Sequence, residues 1–193
     1  MEREQVELDA PGLDRPGSLI RYGHYGRPVL VFPSEQGRAW DYENNGMVGA
    51  VADLVEAGRV KLYCVDSYDH VSWSDRGIPL EERARRHSLY ESWIVDQVVP
   101  AIGSDSPGAG DIVTTGCSLG AFHALNFALK RADLFPIAIC QSGNYDAASW
   151  HPWGRARRRD VLQQPGRLPS EPGRRPPGLA PQPGLPAANR RPG

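Results

Sequence analysis

The residues best suited to covalent chemistry are Gly116-Cys117-Ser118-Leu119-Gly120, a G-x-S-x-G pattern. On its own the pattern is common. Its setting is more specific, because the apolar stretch Asp111–Cys117 precedes it and the helically periodic stretch Leu119–Arg131 comes after it. A serine on a tight strand-to-helix turn is the arrangement of a nucleophile elbow. Gly116 and Gly120 let strand and helix pass close to the turn. Ser118 then projects its hydroxyl off the carboxyl edge of a sheet. The backbone N–H of Leu119, at the start of the helix, faces the place where an oxyanion would develop. The plainer alternative is a serine that only caps its helix. A second N–H donor is expected from the loop Pro33-Ser34-Glu35-Gln36-Gly37-Arg38, which follows the apolar run Val29–Phe32. Ser34, Glu35 and Gln36 are the candidates there, with Gly37 supplying backbone freedom. An ordinary surface connection is the alternative.

A serine nucleophile needs a base. His123 lies five residues after Ser118 on the same predicted helix, so it turns away from the serine and reads as a packing or surface histidine. Asp146 follows the stretch Ile137–Gln141 and reads as a turn residue. Asp66, Asp69 and His70 follow Val60–Val65 at the same sheet edge and could line a pocket. Their spacing fits neither a metal site nor a general-base pair, and no metal is expected there.

The elements that must position these residues alternate. Strands are predicted at 4–8, 18–23, 29–32, 60–65, 112–117 and 137–141. Helices are predicted over Met47–Ala57, stopped by Gly58, over Leu89–Ile102, with Ser88 and Glu91 as a capping box, and over Leu119–Arg131. Val29–Phe32 is continuously apolar, as in a strand buried on both faces. Such alternation implies a three-layer α/β sandwich with a mostly parallel sheet.

The stretches RYGHYGRPVLVFPSEQGR, NNGMVGAVADLVEAGRVKLYCVDS, RARRHSLYESWIVDQVVPAI and GCSLGAFHALNFALKRADLFPIAICQSGNYD resemble the actinobacterial branch of the putative-esterase family, the esterase-D-type α/β-hydrolases. The resemblance covers about residues 1–153. It implies a serine carboxylic-ester hydrolase with a Ser-Asp-His triad, an acyl-enzyme mechanism, no cofactor and a small-molecule ester as substrate. Ser118 matches the nucleophile and Leu119 an oxyanion donor. The family's acid and histidine come after later strands, and nothing in this sequence matches them. His24, His70 and His87 precede the serine, against the family's order. His151 is the one histidine left to substitute.

The composition breaks where the resemblance ends. All 16 aromatic residues lie at or before Trp153. Residues 154–193 hold 9 Pro, 6 Gly and 9 Arg against two acids, a formal charge of +7, whereas residues 1–153 carry −8. The expected division is a truncated α/β-hydrolase domain over 1–153 and a disordered Arg/Pro/Gly-rich tail over 154–193. Read one base out of phase, Gly154 to Leu168 can decode as GERGDATYFNNPADY and Arg174 to Gln182 as GDHLDWLR. Both strings resemble the family's own sequence downstream of SGNYD, so the tail reads as a frameshift. The sheet would then lose its last strands and the triad its acid and base, leaving Ile137–Gln141 as an apolar edge and the chain impaired. The alternative is a non-catalytic pseudoenzyme or binding module with a basic interaction tail.

The net charge of −1 argues against a nucleic-acid protein driven by bulk charge. No apolar run reaches the roughly 20 residues that span a bilayer. The charged N-terminus and three cysteines suggest neither a secretory signal nor a disulfide framework, so the cytoplasm is the expected compartment.

Overall fold

The computed structural model describes residues 1–145. Asp146, His151 and the predicted tail lie outside the described residues. Six strands form one sheet: β1 (Arg3–Leu8), β2 (Gly17–Tyr22), β3 (Arg27–Phe32), β4 (Val60–Val65), β5 (Val113–Cys117) and β6 (Ile137–Gln141). Their order is β1-β2-β4-β3-β5-β6. β1 runs antiparallel to β2, and β2 antiparallel to β4. From β4 through β3 and β5 to β6 every pairing is parallel. This is the mostly parallel sheet expected from the alternation.

Strand side chains alternate between two faces, and each face has its own core. Leu19, Leu30, Phe32, Tyr63 and Val65 pack with Tyr90, Trp93, Ile94 and Phe127 on one side. Ile20, Tyr22, Val29, Val31, Leu62 and Cys64 pack with Val48 and Val55 on the other. β3 is buried along residues 28–32, as its unbroken apolar run requires. At the far edge β6 is different. Among the described residues no strand pairs with its outer side, and Ile137 and Ile139 stay 43% and 54% exposed.

Two helices depart from the sequence reading. A short helix α1 (Asp41–Asn44) comes first, and the expected helix over Met47–Ala57 is two short pieces, α2 (Met47–Ala50) and α3 (Ala52–Glu56). The last two break at Val51, whose backbone leaves the helical region at φ −111°, ψ 11°. The expected helix over Leu89–Ile102 starts earlier. α4 spans Leu80–Trp93, a wide π-type turn spans Ile94–Val98, and α5 spans Val99–Asp105. The wide turn ends just before Pro100, which has no N–H to donate to a regular ladder. Ser88 therefore caps nothing, and its hydroxyl donates to the carbonyl of Ala84 one turn back. The early start was hidden because α4 buries Arg83 and His87 alongside Ala84, Tyr90 and Trp93. A buried stripe carrying two basic side chains does not read as apolar periodicity. α6 (Leu119–Lys130) matches its expected span to within one residue.

No helix among the described residues is long and apolar enough to cross a membrane.

Candidate active site

β5 ends and α6 begins at Ser118, which stands exposed at the turn between them. Its backbone sits at φ 56°, ψ −119°, a combination that L-residues avoid and that persists only where surroundings enforce it. The enforcement is visible. The Ser118 N–H donates to the carbonyl of Gln141 on β6, and the Ser118 carbonyl accepts from the N–H groups of Ala121 and Phe122. The two flanking glycines have no room for a side chain. A Cβ on Gly116 would lie 2.4 Å from the backbone of Gly120, and one on Gly120 would lie 2.3 Å from the carbonyl oxygen of Pro33. The strand, the helix and the loop after β3 thus meet backbone to backbone around the serine. Leu119 is the first residue of α6, so its N–H precedes the helix's own bonding and points out of the N-terminal end.

Ser34, Glu35 and Gln36 lie in the loop between β3 and α1. The strained residue there is Gln36, at φ 57°, and not Gly37. Gly37 is needed for closeness instead: a Cβ on it would meet the Asp41 carboxylate at 2.4 Å and the Pro33 Cβ at 2.7 Å. The Gly37 N–H closes a turn onto the Ser34 carbonyl at 2.9 Å. The Gln36 N–H donates to Asp69 Oδ2 at 3.2 Å. This leaves the N–H groups of Ser34 and Glu35 as the loop's open donors among the described residues.

The loop is held from below by the segment after β4. Asp66 is buried, and its Oδ1 accepts from the Ala39 N–H and from Arg38 Nε, each at 2.9 Å. Its Oδ2 accepts from the Ser18 N–H on β2 at 3.2 Å. Asp69 is also buried and its Oδ1 lies 3.0 Å from His123 Nε2. Burial alone would raise the Asp69 carboxyl, but the His123 ring and the Gln36 N–H outweigh it and hold it below the usual carboxylate range. Asp66 and Asp69 therefore do not line an open pocket. They are struts, and no periodic pattern in the sequence marks a buried carboxylate that binds backbone. His70 sits apart from them, 2.9 Å from Asp14.

A cleft of about 260 Å³ is lined by Phe32, Pro33, Ser34, Tyr42, Met47, Gln141 and Cys117, the residue that precedes the serine in the chain, among others. Elbow and loop share it. A larger cavity, of about 720 Å³, lies at the opposite edge of the sheet beside His24, Arg27 and Arg59, where the parallel strands begin. In open α/β sheets ligands bind at the carboxyl ends of the strands, so the smaller cleft is the relevant one.

None of the four described histidines has Ser118 as a hydrogen-bond partner. His123 is buried, packed against Phe32 and stacked on His87 at 5.2 Å between ring centres. It is the packing histidine its position on α6 suggested. Among the described residues no group of three or more His, Cys, Asp or Glu side chains could hold a metal ion.

A strained serine between two obligatory glycines, at the carboxyl edge of a sheet with this strand order, defines an α/β-hydrolase fold with an elbow. Residues 34–173 match the profile of the family described as "Putative esterase", and the chain belongs to that family. The matched span begins after β3 and runs 20 residues past the composition break at 153. No curated protein matches the chain. Among solved structures it resembles a ferulic acid esterase, at 14% identity and TM-score 0.56 over 74% of this chain and 57% of that one. It also resembles the substrate-bound fluorophosphonate-binding serine hydrolase F of Staphylococcus aureus, at 14% identity and TM-score 0.59, over 80% and 62%. The S-formylglutathione hydrolase of the same organism aligns at 13% identity and TM-score 0.55, over 80% and 65%. At these identities the likeness concerns the fold. The chain spans between 57% and 65% of these relatives' length.

Proposed function

We propose that this chain derives from a carboxylic-ester hydrolase in which Ser118 is the nucleophile. Its Oγ attacks the ester carbonyl carbon, the carbonyl oxygen becomes an oxyanion, and collapse expels the alcohol and leaves an acyl-serine that water then cleaves. The Leu119 N–H and an N–H of the Ser34–Gln36 loop face the oxyanion. Ser34 and Glu35 are the stronger donors because Gln36 is already bonded to Asp69. A small apolar acyl or alcohol group fits the cleft beside Phe32, Tyr42 and Met47. The observation that carries this reading is the enforced backbone of Ser118. A residue that merely capped a helix would have no need of it.

The acid and base of the reaction are not among residues 1–145. We place them in the shifted reading frame that opens near Trp153, which makes the chain as written a poor catalyst. General-base assistance contributes about 10²–10⁴-fold, and a serine without it is a weak nucleophile.

The test is fluorophosphonate labelling of Ser118, with Ser118→Ala as the blank, on the 193-residue chain and on the frame-restored protein. Near-background labelling of the first and rapid stoichiometric labelling of the second is expected. A folded frame-restored protein with an unlabelled Ser118 would refute the elbow assignment. Rapid labelling of the chain as written would refute its impairment and make His151→Ala the next variant.

A further inference from the structure

We propose that Asp69 is a positioning residue that ties the oxyanion loop to the nucleophile helix. The inference rests on Ser118 being the nucleophile, but its physical content is separate from that reading. The two halves of the proposed oxyanion hole come from distant parts of the chain, Ser34–Gln36 after β3 and Leu119 at the head of α6. One buried carboxylate touches both parts. Asp69 Oδ2 takes the Gln36 N–H at 3.2 Å, and Oδ1 takes His123 Nε2 at 3.0 Å, one turn into α6 from the serine.

The chemistry fixes the protons. Asp69 is ionised and can only accept, so His123 must carry its proton on Nε2. Its Nδ1 is buried and without a partner among the described residues, so the bond to Asp69 is the one that orients the ring. His123 thus donates to Asp69 through Nε2 in one available orientation. On its other side the ring is fixed by His87, Tyr90 and Phe122. The carboxylate is therefore immobile, and it reaches Gln36 at the one non-glycine residue of the loop in the left-handed region. A non-glycine residue there persists only when its surroundings over-determine it. The bond to Asp69, the Gly37 turn and the Asp66 bonds supply that constraint.

Without Asp69 the loop keeps its Asp66 anchors at Arg38 and Ala39, the Ser67 N–H on the Gly37 carbonyl and the Ser74 hydroxyl on the Glu35 carboxylate, but loses the bond that holds the Gln36 amide. The predicted effect is local. The Gln36 amide should loosen while the sheet beneath it stays closed. Asparagine keeps an acceptor for Gln36 and turns its amide toward His123, so Asp69→Asn should preserve the tie by switching the His123 tautomer.

The experiment is amide hydrogen exchange by NMR on the intact 193-residue chain. In the parent protein the Gln36 amide should be protected. Asp69→Ala should speed its exchange by about tenfold or more, with Leu30 and Tyr63 in the central strands unchanged, and Asp69→Asn should leave it within about threefold. Unchanged Gln36 exchange in Asp69→Ala would overturn the proposal. So would a loss of protection that appears equally at Leu30. If Asp69→Ala does not fold, Asp69→Asn decides through the nitrogen shifts of His123. Movement of the proton from Nε2 to Nδ1 supports the tie, and unmoved shifts overturn it. Fluorophosphonate labelling of the frame-restored protein reads the esterase assignment separately. An Asp69-dependent Gln36 beside an unreactive Ser118 would sink that assignment and leave the tie standing. A reactive Ser118 beside an Asp69-independent Gln36 would do the reverse.

Discussion

Gly120 presses against Pro33 so closely that a Cβ on the glycine would stand 2.3 Å from the proline's carbonyl oxygen. The contact is backbone to backbone, so neither side can swing away. It joins the first turn of α6 to the first residue of the loop after β3. Gly116 reinforces it from the strand side, against Gly120 and Phe32.

Gly120→Ala is therefore expected to cost at least about 2 kcal/mol of stability, near the upper part of what overpacking costs in a core. Gly49→Ala is the control, because a Cβ there meets nothing within 4 Å and the residue lies in helix. Urea midpoints of the two variants check this, and equal midpoints would show that the loop can yield.

Ser118→Gly should do the opposite. The serine stores strain at φ 56°, and glycine adopts that angle freely. A gain on the order of 1 kcal/mol is expected, partly offset by the looser unfolded chain, together with complete loss of fluorophosphonate labelling in the frame-restored protein. Destabilisation by this substitution would mean that the backbone at the turn is not strained.

Acid should unfold the protein in two stages. His87 is fully buried, and burial lowers its affinity for a proton below the ordinary value of 6.5. The unfolded chain then binds more protons than the native one as pH falls through 6.5, so stability is full above that value and declines below it. Asp69 and Asp105 act in a lower window. Both are held below the ordinary 3.8, so their contribution is full above 3.8 and is lost as pH falls further. His87→Phe should flatten the loss between pH 6.5 and 5 and leave the lower stage in place. Thermal melts across that range are the measurement, and an unchanged slope in the variant would reject the assignment.

β6 presents Ile137 and Ile139 and an unpaired backbone edge among the described residues. Such an edge invites pairing with other chains. Ile139→Lys should raise the concentration at which the 193-residue chain stays monomeric in sedimentation runs. No change would show that this edge is covered.

The sheet and the tight turn at Ser118 were legible because apolar runs and small residues leave direct marks. β4 and β6 fall where their apolar stretches place them, and α6 is strongly periodic. The start of α4 was not legible, because Arg83 and His87 occupy its buried face. In the loop after β3 the glycine pointed to the wrong residue. Gln36 takes the left-handed angle while Gly37 answers a space requirement, and spacing alone does not distinguish the two uses of glycine. Asp66 and Asp69 looked like edge residues and are struts. A carboxylate that binds backbone amides is specified by a turn's shape, which no local pattern encodes.

The matched residues begin at 34, but the sheet does not. β3 occupies Arg27–Phe32 and carries β4 on one side and β5 on the other. Ser18, further upstream, donates to the same Asp66 that holds Arg38 and Ala39. A fragment cut at Ser34 would keep the elbow sequence and discard the strand on which it rests. The matched stretch thus begins inside the unit that must fold together, and similarity and cooperativity draw different borders through the same molecule.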